Sequence, residues 1–174
     1  MYRTLGSMGL ALAAVSFVAC SDSISANANA HVSIQDQCDP ASFNAALGAG
    51  TCTRQGNTTL AQFNSELNST HQVAAWRFLP NNLTIRIGQR LTETNNGGEV
   101  HTFTEVAQFG GGIVPALNQA SGNTAVAPEC QQLSASDMIA AGTTHTGDVE
   151  TAAKTELYQC CIHPWMRATV TITG

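Results

Sequence analysis

The sequence predicts an all-β domain with a small helical extension on its N-terminal side, and three observations carry that reading. Only 11% of the 174 residues are charged, while Thr, Asn, Ala and Gly are abundant, a composition that suits an extracytoplasmic β protein. Residues 83–87 and 168–172 alternate apolar with polar side chains, the period-two pattern of half-buried strands. Helix signatures, by contrast, are concentrated in residues 37–72. The net charge is −5 and Lys154 is the only lysine, so no basic patch exists for nucleic acid or another anionic partner. An acidic surface of this kind can steer a basic protein partner.

Taken in order, the chain begins with an apolar run over residues 5–19 behind a single cation, Arg3. It is short for a membrane span and reads as the core of a signal peptide covering residues 1–19. The run ends in Phe17-Val18-Ala19-Cys20, which resembles a bacterial lipobox. Acylation of Cys20 would then leave residues 20–36 as a polar tether. The competing reading is cleavage after Ala28-Asn29-Ala30, which leaves His31 at the N-terminus. Either way the mature protein is expected in the periplasm or at the outer cell surface, with membrane contact only through a lipid on Cys20.

Residues 37–72 form the helical extension. Asp39 suits a helix cap, Pro40 the first helical position and Gly48 the residue past the end. A second helix over 58–70 places Leu60, Phe63 and Leu67 at helical spacing, as a layer packed on a sheet. The β domain, 73–174, opens with a strand over 73–78 and a turn at Pro80-Asn81-Asn82. Strands over 83–87 and 90–94 follow, then the turn Asn95-Asn96-Gly97-Gly98. The next strand sets His101, Phe103 and Glu105 on one face, with Val100, Thr102 and Thr104 on the other. Residues 108–127 hold Gly110-Gly111-Gly112 and read as an irregular excursion, with Ile113, Val114 and Leu117 as an apolar rim. Another loop or helical turn occupies 134–141. His145 lies among threonines, with little to support a metal site there. Strands over 154–160 and 167–173 close the chain.

The chemistry concentrates between the last two strands. Cys160, His163 and Met166 put a thiolate, an imidazole and a thioether within seven residues, and His101 offers a second imidazole upstream. Two His, one Cys and a distant Met are the ligands that a blue-copper centre requires. Nothing resembles a hydrolytic triad or a dinucleotide fingerprint, and the chain is not expected to be an enzyme. The Cys-x-x-His-x-x-Met spacing, with Tyr158 two before the Cys and Pro164 after the His, resembles the ligand loop of amicyanin- and plastocyanin-like cupredoxins, the blue type-1 copper proteins. Residues 81–104 resemble the same family: a strand, a Gly, a second strand ending in Thr-Asn, then the first His.

That resemblance implies a Greek-key cupredoxin-like β-sandwich. It also implies one copper ion, Cu(I)/Cu(II), held by His101, Cys160 and His163 with Met166 as a weak axial ligand. The function it implies is one-electron transport by a monomer between a redox protein donor and an acceptor. The alternative is a copper carrier or storage protein using the same site without redox turnover. Three features depart from the family pattern. Thr102 stands where Asn commonly follows the first His, Cys161 adjoins the ligand Cys, and a long segment separates His101 from Cys160.

Six cysteines are present. With Cys20 lipidated or removed and Cys160 on copper, Cys38, Cys52, Cys130 and Cys161 remain, enough for two disulfides in an oxidising compartment. Of three connectivities, Cys38–Cys52 with Cys130–Cys161 is the most economical. Strand alternation would let Cys160 face the metal while Cys161 turns away.

Overall fold

Val32 and Ile34 are both fully buried, and their strand is central to one of two four-stranded sheets. The computed structural model describes residues 29–174; the expected signal peptide and Cys20 lie outside the described residues. Strand β1 (Ala30–Gln35) pairs antiparallel with β2 (Arg77–Leu79) and parallel with β4 (Arg90–Asn95), and β6 (Thr144–Val149) completes that sheet at its far edge. The second sheet runs β3 (Asn82–Arg86), β8 (Arg167–Thr173), β7 (Lys154–Gln159), β5 (Thr104–Val106). The architecture is the expected all-β sandwich with a few short helices.

The expected tether over 20–36 is corrected from residue 30 onward. Val32, Ile34 and Asp36 alternate inward as a strand does, and the parallel ladder to β4 supplies the pairing that no local signal announces. Burying the two aliphatic side chains contributes about 1.5–3 kcal/mol each. One apolar cluster joins β1, the helical segment and the Cys160–Met166 loop: Val32, Ile34, Phe43, Phe63, Trp76, Cys160 and Met166 share it.

The helices follow from their caps. Helix α1 (Pro40–Leu47) has Asp39 accepting from the Ser42 N–H, Pro40 at its start, and Gly48 at a positive φ of 110° beyond its end. Helix α2 (Leu60–Thr70) begins two residues later than expected, with Thr59 and Gln62 forming a capping box. Phe43, Phe63 and Trp76 interlock, with ring centroids 4.8–5.9 Å apart. The Cys38–Cys52 disulfide ties the base of this layer to the end of β1.

Two strands differ from expectation. Residues 73–76 form a turn before the short β2, and 99–103 are not a strand. His101 instead makes an isolated bridge with Ile139, with N–H···O distances of 3.1 and 2.8 Å. The two-faced reading of 100–105 therefore fails, since His101 and Thr102 are both fully buried. Helix α3 (Pro115–Ala120) lies within the glycine-rich excursion. The last strand keeps strict alternation, with Ala168, Val170 and Ile172 in the core. Among the described residues no helix is long and apolar enough to cross a membrane.

Candidate metal centre

Strand β7 ends at Gln159, and the chain then folds back on itself. The Cys160 N–H donates to the Met166 carbonyl at 3.0 Å and the Met166 N–H to the His163 carbonyl at 2.9 Å, closing a tight loop before β8. Cys160 enters the main core cluster with Met166, whereas Cys161 enters a separate cluster with Cys130 and bridges to it. The neighbouring cysteines thus diverge as expected, although the strand stops one residue short of them. Cys160 is the one free cysteine among the described residues.

His101 arrives from the other side. Asn95, fully buried, folds the preceding turn by accepting from the Gly97 N–H and donating to the Glu99 and Ile139 carbonyls. The result brings three ligand atoms together. His101 Nδ1 lies 3.7 Å from Cys160 Sγ, and His163 Nδ1 lies 3.9 Å from it. All three atoms fall within 4.8 Å of one another, the one such metal-ligating group among the described residues. Ligands arranged trigonally about a first-row ion at ~2.0–2.3 Å sit roughly 3.5–4 Å apart, so the spacing fits a shared ion. Met166, 1% exposed, packs in the same core cluster as Cys160.

Thr102, next to His101, fastens the His101 and Cys160 segments together. Its hydroxyl accepts from the Cys161 N–H at 2.8 Å, and its own N–H points at Cys160 Sγ at 3.5 Å. The His163 N–H reaches the same sulfur at 3.5 Å. Glycine is required beside Cys161. A Cβ on Gly112 would stand 1.9 Å from the Cys161 carbonyl oxygen, and the adjacent Ile113 N–H donates to that oxygen at 2.7 Å. The excursion is thereby bolted to the residue beside Cys160.

Two carboxylates that the sequence reading did not single out back the imidazoles. Asp36 Oδ2 lies 2.8 Å from His101 Nε2, and both side chains are fully buried. Glu99 Oε2 lies 3.6 Å from His163 Nε2 and accepts from the Trp76 indole at 2.7 Å. The signal for Asp36 was the inward register of Val32 and Ile34, which puts the next alternate residue, an acid, into the interior, where it needs partners. Phe63 and Trp165 lie against His163, at 6.4 and 5.5 Å between ring centroids.

The electrostatics favour a cation. Burial would raise the Cys160 thiol, but hydrogen bonds with His101 and His163 hold it well below the ordinary thiol range. Burial would lower His101, yet its bonds to Asp36 and Cys160 push it up to about 9. Burial would also raise Asp36, but the His101 bond and the Gly98 and Glu99 N–H groups bring it down to about 2. The three shifts share one direction, each favouring the charged form of its group over the neutral one. His101, Cys160 and His163 would hold a cation in their deprotonated forms, so its binding would be pH-dependent.

No protein-family model matches the chain, and no curated protein does. Solved structures do. A purple cupredoxin from Nitrosopumilus maritimus is 19% identical, with 83% of this chain and all of that chain covered, at a TM-score of 0.46. The chain is similar to cupredoxins. A mutant plastocyanin of fern aligns over 83% of this chain and 100% of its own at 15% identity and a TM-score of 0.43. A reduced amicyanin variant covers 59% of this chain and 78% of its own at 20% identity and 0.39. With identities and TM-scores this low, what the centre can do rests on the distances above.

Proposed function

We propose that the protein is an exported electron carrier that binds one copper ion through His101, Cys160 and His163, with Met166 as a weak fourth ligand. The observation that carries this is the single unbridged cysteine sulfur between two imidazole nitrogens, at 3.7 and 3.9 Å, in a buried setting. One soft sulfur, two borderline nitrogens and a thioether suit copper. Copper supplies a one-electron Cu(II)/Cu(I) couple.

The chain's own contribution is to hold the ligands still. Thr102 ties the two ligand segments, the Met166 and His163 backbone bonds close the loop, and Asp36 fixes the His101 ring. His101, Cys160, His163 and Met166 are all at most 3% exposed, so water is kept out. A site that moves little between two charge states needs little reorganisation, which favours fast transfer. Burial counts against the carrier or storage alternative, because an exchanging chelator needs a ligand within reach. Two disulfides among the described residues support an oxidising compartment. Donor and acceptor belong to the same reading, as redox proteins outside the cytoplasm.

The test is spectroscopic. The purified chain loaded with Cu(II) should develop an intense visible thiolate-to-copper band that a one-electron reductant bleaches and reoxidation restores. A colourless Cu(II) adduct would refute the reading.

A further inference from the structure

We propose that Asp36 is a positioning residue of this centre: it holds His101 with Nδ1 turned to Cys160, and its fixed negative charge favours the oxidised ion over the reduced one. The inference rests on the copper reading above and adds to it a residue 65 positions upstream of His101.

Asp36 sits where β1 ends, and the bonds made to its carboxylate all come from donors. The Cys38 N–H reaches Oδ1 at 3.1 Å, the Gly98 N–H reaches both oxygens at 2.9 Å, the Glu99 N–H reaches Oδ2 at 3.0 Å, and His101 Nε2 reaches Oδ2 at 2.8 Å. A carboxylate can only accept, so Nε2 carries the proton. That leaves Nδ1 as the nitrogen offered to the metal. The cradle has little slack. A Cβ on Gly97 would stand 2.0 Å from Asp36 Oδ2, and one on Gly98 2.5 Å from Cys38 Sγ. The Cys38–Cys52 bridge braces the same corner.

The second carboxylate is placed differently. Glu99 Oε2 is 3.6 Å from His163 Nε2, beyond hydrogen-bond reach, and is occupied by the Trp76 indole. Orientation of an imidazole therefore belongs to Asp36. A hydrogen-bonded carboxylate makes its imidazole a stronger donor, and a buried anion stabilises the more highly charged ion. Losing such a partner typically costs ~10–100-fold in metal affinity.

The experiment compares the full chain with Asp36→Asn and Glu99→Gln, each titrated with Cu(II) and with Cu(I). Asparagine keeps the shape and an acceptor oxygen but removes the charge. In Asp36→Asn the visible band should persist while the Cu(II)-to-Cu(I) affinity ratio falls at least tenfold. For a one-electron couple, tenfold is a rise of about 59 mV in midpoint potential. Glu99→Gln should shift the ratio less. A ratio within threefold of the parent in Asp36→Asn, or a larger shift in Glu99→Gln, overturns the proposal.

A measurement on the unaltered chain guards against a variant that fails to fold. Imidazole 15N spectra, metal-free and with Cu(I), should show a slowly exchanging His101 Nε2 proton. A freely exchanging or absent Nε2 proton also overturns it. If instead the parent develops no visible band with Cu(II), the copper reading fails while the metal-free spectrum still decides the role of Asp36.

Discussion

Thr102 and Cys161 are joined by a 2.8 Å hydrogen bond from the Cys161 N–H to the Thr102 hydroxyl. It fastens the His101 segment to the Cys160 segment between two residues that are not themselves ligands. Thr102→Val keeps the shape and leaves that buried N–H unpaired, at a cost of ~1–3 kcal/mol. Urea unfolding should register the loss, and the copper-loaded variant should show a displaced visible band. An unchanged band would mean that the ligand segments are held by other contacts.

The two adjacent cysteines should respond in opposite ways. Cys160→Ser should abolish the visible band while the fold survives, since a hydroxyl does not replace the thiolate. Cys161→Ser should keep the band and lose ~2–4 kcal/mol with its disulfide to Cys130. Cys130→Ser should match that loss, and the double variant should lose no more. Bleaching by Cys161→Ser alone would reassign the ligand.

Met166→Leu is close to volume-conserving and should cost less than about 1.5 kcal/mol. The variant should bind copper and show a higher midpoint potential in voltammetry, because a weak donor to the oxidised ion is gone. Complete loss of copper would contradict a secondary role for the thioether.

Glu93 offers a pH test away from the centre. Its side chain is 3% exposed, and burial raises its carboxyl above the ordinary range against the pull of His145 at 3.1 Å. An acid whose folded-state pKa is raised favours folding below its unfolded value and loses that contribution as pH climbs through the folded one. Glu93→Gln should therefore be more stable than the parent at pH 7, with the advantage vanishing below about pH 4. Denaturant titrations of the metal-free protein across that range would check it. A variant less stable at pH 7 would mean that the His145 pairing outweighs burial.

What could be read from the residues follows from how local each signal was. Ala168, Val170 and Ile172 alternate within one strand, and the caps at Asp39 and Thr59 act over a single turn, so these elements were legible. The Cys160–Met166 loop is equally local. β1 was not, because Ala30–Gln35 has only two aliphatic core residues and owes its order to β4, some 60 residues away. β6 carries almost no buried side chain and exists through its ladder to β4. Thr102 was placed on the strand face opposite His101, yet both residues are buried and its hydroxyl accepts from the Cys161 N–H. Asp36 was overlooked because its partners, Gly98, Glu99 and His101, meet it only in three dimensions.

The direction of β1 fixes which end of the strand meets the centre. Asp36 lies at the ligand end of that strand and Ala30 at the other, a run of roughly 20 Å at strand rise. Ala30 therefore stands at the end of β1 remote from His101 and Cys160.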